Sequence, residues 1–214
     1  LNRLDAAIKF RGRAIEGGAI KLQDIALTLG LDNGLLQLKP IEFGLEKGRI
    51  DADATLDGRQ AAPQMAGHVR INGLDLNALL TQFGIRTKST GSLRGDMTLS
   101  MQGRSPHELA ASAAGKGLVV MGGGSISDLL LQLAALDLQQ ALGQMISHDQ
   151  MPINCFVMPM QIQAGRINAD PWLFDTPDNL VNIKGYVDLG SETVHLALEP
   201  HPKDFSLFNT LSTI

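Results

Sequence analysis

Apolar and polar residues alternate over long stretches of this chain. In the segment IALTLGLDNGLLQLKPIEFGLEKGRIDADATL the apolar set is Ile25, Leu27, Leu29 and Leu31, then Leu36 and Leu38. It continues with Ile41, Phe43 and Leu45, and then Ile50, Ala52, Ala54 and Leu56. Asn33-Gly34 and Lys47-Gly48 fall between the runs. A period of two predicts strands, and Asn-Gly between them predicts tight antiparallel hairpins. Upstream, Leu4, Ala6, Ile8 and Phe10 alternate before a Gly17-Gly18 turn, and downstream His68-Val69-Arg70-Ile71 closes the run. Residues 1–73 therefore read as a β meander. One face of such a sheet is apolar and needs a cover.

The period changes at Leu74. Asp75 is placed to cap a short helix with Leu76, Leu79, Leu80 and Phe83 on its apolar stripe, and Gly84 suits the left-handed residue that ends it. Alternation returns over Gly91 to Met101. Ser105-Pro106-His107-Glu108 has Ser at the N-cap, Pro at the first helical position and Glu at the third, a capping box that predicts a helix to about Ala114. Leu118 to Met121 reads as a brief strand broken by Gly122-Gly123-Gly124. Ser125 to Met145 then carries the longest helical pattern, with Leu129, Leu130, Leu133, Leu136, Leu142 and Met145 on one face and Ser125 and Asp128 at capping-box spacing. Strands resume at Ile153 to Val157, Met160 to Gln163, Ile167 to Ala169, Val181 to Leu189 and Thr193 to Glu199.

The chain thus predicts one domain over residues 1–214, with a β meander in 1–73, mixed strand and helix in 74–148 and strands in 149–214. Its fold class is mainly β with a few helices. A weak internal echo supports a repeated strand unit: Gly48-Arg49-Ile50-Asp51-Ala52-Asp53 resembles Gly165-Arg166-Ile167-Asn168-Ala169-Asp170.

Composition narrows the function. The 214 residues are 44% hydrophobic and 19% charged with net charge −4, so there is material for a substantial core and no basic face for nucleic acid. Aromatics at 4% leave few stacking platforms for bases. No apolar run reaches the length of a membrane-spanning helix. The opening LNRLDAAIKFRGRAIEGG is not a signal peptide and lacks an initiator Met, as expected of a piece of a longer protein.

Catalytic constellations are missing from the sequence. Asp51, Asp53, Asp57 and Gly58 suggest a calcium loop, but Leu56 and Ala62 stand where an EF-hand needs Gly and Glu, and alternation puts the acidic residues on the solvent face of a strand. His68, His107, His148, His195 and His201 show no metal-ligand spacing and read as isolated surface histidines. Cys155, the only cysteine, lies in the apolar run INCFVM and reads as a buried, inert thiol. The glycine triplet lacks the Lys-Ser/Thr of a phosphate loop, and no Gly-x-Ser-x-Gly is present. No cofactor or metal is expected, and an enzyme is the least favoured reading.

Several pieces in order resemble a known family. They are Asn33-Gly34-Leu35-Leu36-Gln37-Leu38-Lys39-Pro40-Ile41-Glu42-Phe43-Gly44-Leu45-Glu46-Lys47-Gly48-Arg49-Ile50, Gly73 to Leu80, Gly91-Ser92-Leu93-Arg94-Gly95, Gly103-Arg104-Ser105, Ala164-Gly165-Arg166-Ile167 and Lys184 to Gly190 leading to Glu199-Pro200. Together they resemble the C-terminal region of the AsmA family, with Lys47 a departure where the family tends to carry Gly. The resemblance implies a periplasmic domain, anchored in the Gram-negative inner membrane by a segment outside this chain, that acts in outer-membrane assembly and lipid homeostasis. It further implies a long curved antiparallel sheet forming an apolar groove, capped by the short helices and the longer one. The implied partner is a phospholipid or other envelope lipid, and alternation offers Ile25, Leu27, Leu29, Leu36, Leu38, Ile41, Phe43 and Leu45 as the lipid-facing residues. The alternative is a scaffold that contacts envelope assembly proteins without binding lipid.

Overall fold

A computed structural model describes residues 5–17, 20–45, 47–82, 84–85, 88–127 and 150–203. The elements, in order, are β1 (Ala6–Gly17), β2 (Ile20–Asp32), β3 (Leu35–Leu45), β4 (Gly48–Asp57), β5 (Gln64–Asp75), α1 (Leu76–Gln82), β6 (Thr90–Gln102), α2 (Pro106–Ser112), β7 (Ala114–Ser127), β8 (Gln150–Gln163), β9 (Arg166–Asp175), β10 (Asn179–Asp188) and β11 (Thr193–Pro202). All strands join one antiparallel sheet in sequence order, and the sheet is curved and unclosed. The β-rich meander expected from the alternation is what the chain forms.

Local signals account for the connections. Asn33 and Gly34 have φ of 43° and 81°, the paired positive values that a two-residue hairpin turn requires. The Asp75 carboxylate accepts the Ala78 N–H at 2.9 Å, capping α1, and Gly84 follows the helix at φ 75°. Ser105 caps α2 by accepting the Glu108 N–H at 3.1 Å.

Several sequence expectations need correction. The glycine triplet does not break a strand: β7 runs through it to Ser127. Gly123 at φ 68° and Gly124 at φ 145° take the irregularity that shifts β7 against β6, and Gly124 fits against the Thr90 carbonyl where a Cβ would not. Ser125 is therefore a strand residue, its hydroxyl paired with Thr90 at 3.0 Å, and not a helix cap. The remainder of the expected long helix, residues 128–145, lies outside the described residues. Finally, β8 is one strand rather than two, β9 extends through Pro171 to Asp175, and α2 stops at Ser112 because Ala114 already pairs in β7.

The core is one-sided. Ala113, Met160 and Ile162 are buried against Met97, Leu99, Met101, Val119, Met158, Ile167 and Leu189, beside the end of α2. The Trp172 ring is buried as well, its indole N–H donating to the Pro159 carbonyl at 2.9 Å. The two echoed units occupy equivalent places, each at a hairpin where a new strand opens. Gly48 lies against the Leu74 backbone just before α1, and Gly165 lies against Ala110 and Ala111 of α2. Gly48 lets the end of β5 press onto the β3–β4 hairpin, and Gly165 lets the end of α2 press onto the β8–β9 hairpin.

Candidate functional site

Directly opposed residues of an antiparallel pair share a face, so the register assigns every strand. One row crosses the sheet from Phe10 through Leu27, Ile41, Ala52, Val69, Met97 and Gly117 to Met160. The adjacent row runs from Arg11 through Ala26, Glu42, Asp51, Arg70 and Asp96. The sheet thus has one aliphatic and one charged face along most of its width.

Ile25, Leu27, Leu29, Leu36, Leu38, Ile41, Phe43 and Leu45 all fall on the aliphatic face. Leu29 opposes Leu38, Leu27 opposes Ile41, and Leu22 opposes Leu45. The sequence steps by three between Leu38 and Ile41, which breaks the period. The register shifts there, with Lys39 and Pro40 together facing one residue of β2, so both halves of β3 keep their apolar side chains on the same side. A second irregularity at Asp24, with φ 48°, does the same for Leu22 and Ile25. This coherence arises from two bulges that alternation alone does not reveal.

Most of this face is not sealed. Leu45 is only 6% exposed, but the other seven residues are half-buried. On β1 exposure rises to 53% at Ile8, 43% at Phe10 and 46% at Ile15. The principal contacts of α1 are with β5 and β6 and those of α2 with β6, so these two described helices sit away from β1–β3. A hollow of about 500 Å³ lies mainly on the other side, lined by Gln37, Thr55, Asp57, Gln64, Ser100 and Ser112. Among the described residues, it is the half-buried aliphatic surface, rather than cavity volume, that singles out the apolar face.

The charged face is knit by side-chain pairs. Arg49 donates to Asp51 at 2.6 Å and Glu42 at 2.7 Å, and Arg166 reaches Asp188 at 3.1 Å while lying 4.2 Å from the Tyr186 ring centre. Asp57 is lowered from 3.8 to about 2 by hydrogen bonds from the Arg59 side chain and backbone. His68 is not the isolated histidine expected: its ring contacts Asp96 at 2.9 Å and lies 3.9 Å from Asp53. The hydrogen bond from His68, assisted by Arg70, holds the Asp96 carboxyl below its usual range. Asp51, Asp53 and Asp57 are spread along β4 opposite Arg70, His68 and Gln64, as the polar side of a strand and not a calcium loop. Cys155 is half-buried, opposite Gly122 and Asp175, rather than in the core.

This architecture is that of an open β sheet with one aliphatic side, and comparison with known proteins gives its family. The model of the AsmA family matches residues 1–172, and the chain belongs to that family. It is also similar to the AsmA family protein YhjG of Escherichia coli (strain K12), with 27% identity over 213 residues, 99% of this chain and 31% of that protein. The chain therefore spans about a third of that relative's length. No solved structure matches it.

Proposed function

We propose that this domain is a non-enzymatic lipid-handling module of the Gram-negative envelope. Phospholipid acyl chains lie along the aliphatic face, and the charged face meets water. The observation that carries this reading is the aliphatic face of an unclosed sheet, on which Ile25, Leu27, Leu29, Leu36, Leu38, Ile41 and Phe43 are half-buried rather than sealed in a core. Half-buried apolar surface on an unclosed sheet supports a binding groove. Membership of the AsmA family supports a role in envelope assembly. In this reading the domain works in the periplasm, within a longer protein anchored in the inner membrane. No helix of the described residues is long and apolar enough to cross a membrane, and the reading places the anchor in another part of the protein.

The test is native mass spectrometry of the purified domain, followed by organic extraction and lipid identification. Phospholipid at defined stoichiometry supports the groove and names its cargo. A lipid-free mass that persists after incubation with phospholipid vesicles rejects it in favour of a scaffold that contacts envelope assembly proteins.

A further inference from the structure

The aliphatic face does not run unbroken across the sheet. The row that begins at Ile8 passes Leu38 and Leu99 to Ile162 and continues through Val187 to Val194. Exposure along it is 53% at Ile8, falls to 3% at Ile162 and rises again to 63% at Val194. The adjacent row, which carries Leu27, Ile41 and Met97, is closed at the same strand by the buried Met160.

Described residues do the closing. Ala113, at the end of α2, packs with Met160 and Ile162, and Leu99, Val119 and Met158 pack around them. Gly117 lacks the side chain that would hold Met97 and Met160 apart, and a Cβ there would lie 3.0 Å from atoms of each. The two thioether side chains therefore close over β7 from either side. The end of α2 is tied down at two hairpins. The Gly165 N–H donates to the Ala113 carbonyl at 2.8 Å, and the Leu189 N–H donates to the Gly165 carbonyl at 2.9 Å. A Cβ on Gly190 would lie only 3.2 Å from the Ala111 Cβ.

We propose that Ala113, Met160 and Ile162 form a partition that ends the lipid-bearing part of the aliphatic face. An acyl chain lying over β2–β6 stops against Met97 and Met160 and does not continue to β9–β11. To pass, it would have to lift the end of α2, which exposes packed apolar side chains to water and breaks the backbone hydrogen bonds that hold the helix end. Over β2 and β3 no such displacement is needed, because the aliphatic residues there are largely half-buried. The proposal rests on the lipid-handling reading above and adds where the lipid stops.

The experiment incubates this chain with phosphatidylethanolamine vesicles containing the same phospholipid with a diazirine on its acyl chain. Irradiation is followed by digestion and mass-spectrometric mapping of the labelled peptides. Label on β2–β6 is expected to exceed label on β9–β11 by about tenfold or more. Met160→Ala, checked for a native melt, opens a cavity in the partition and should raise the β9–β11 label by about threefold or more. Comparable label on β2–β6 and β9–β11 of the unsubstituted chain overturns the proposal, a result that stands whether or not the variant folds. An unchanged label pattern in a folded Met160→Ala also overturns it. Absence of label from every strand rejects the lipid reading itself, and the partition with it.

Discussion

Gly48 packs so closely beneath Leu74 that a Cβ on the glycine would lie 2.5 Å from the Leu74 Cα. The contact is backbone against backbone, so no side chain can swing aside. It fixes the end of β5, two residues before α1, against the start of β4. Gly48→Ala is expected to destabilise the domain by about 1–3 kcal/mol through this overpacking. Gly122, with open space around its Cβ direction, is the control, and Gly122→Ala should stay within about 0.5 kcal/mol. Urea denaturation of both variants checks the contrast, and equal midpoints would refute it.

The cap of α1 depends on a single carboxylate. Removing it by Asp75→Ala leaves the Ala78 N–H without its 2.9 Å acceptor and is expected to cost about 1 kcal/mol. Asp75→Asn or Asp75→Ser should recover most of that loss in thermal melts. Failure of both to do so would mean that the carboxylate acts otherwise than as a cap.

The bulge at Lys39 and Pro40 keeps β3 in phase. Deleting Lys39 removes the extra residue and leaves Leu38 and Ile41 two positions apart, so plain alternation keeps Ile41, Phe43 and Leu45 on the aliphatic face without a bulge. The expected outcome is a soluble domain with native circular dichroism. A deletion variant that aggregates or fails to fold would contradict the assigned register.

The aliphatic face should respond differently along its length. Phe43→Glu and Leu27→Asp, at half-buried positions, are expected to abolish phospholipid retention while preserving most of the native melt. Met160→Asp, at a position only 7% exposed in the core beside α2, should unfold the domain whether or not lipid binds. Lipid extraction and calorimetry on the same samples separate the two effects. Undiminished lipid in both of the first variants would remove the face from consideration.

Acid should weaken the charged face. Asp57 is depressed from 3.8 to about 2 chiefly by Arg59. Asp188 is lowered first by the Ser191 backbone N–H and then by Arg166, and Asp175 first by Lys203. A carboxylate with a depressed folded pKa contributes stability above its unfolded value and loses it as pH falls through the folded value. The contribution of Asp57 is thus complete above about pH 4 and lost toward pH 2, in amounts kept small by solvent and reduced further by salt. Urea midpoints taken between pH 5 and pH 2 should fall, and Asp57→Asn should flatten part of the slope. An identical slope in the variant would show that Asp57 does not contribute.

Much of the fold was legible in the chain because strand alternation and turn chemistry are local. The helix caps were legible for the same reason. Asp75 and Ser105 are short polar side chains just ahead of helical segments, and each bonds an N–H three residues on. The glycine triplet misled for a local reason too. Three glycines read as a break, but the partners β6 and β8 hold the backbone extended on either side of Gly123. His68 looked solitary because Asp53 and Asp96 are its neighbours only through strand pairing.

By itself, the amino-acid sequence determined that this chain forms antiparallel strands with one aliphatic side, because the side-chain period of two and the Asn33-Gly34 turn act over a few residues. Only the tertiary structure decided that the aliphatic sets of β2 and β3 share one face, since that depends on bulges at Asp24 and Lys39-Pro40 that are set by the register with neighbouring strands. It also decided that the sheet of the described residues is curved and unclosed. That property comes from which backbone edges find partners among the described strands, a long-range matter that no local pattern encodes.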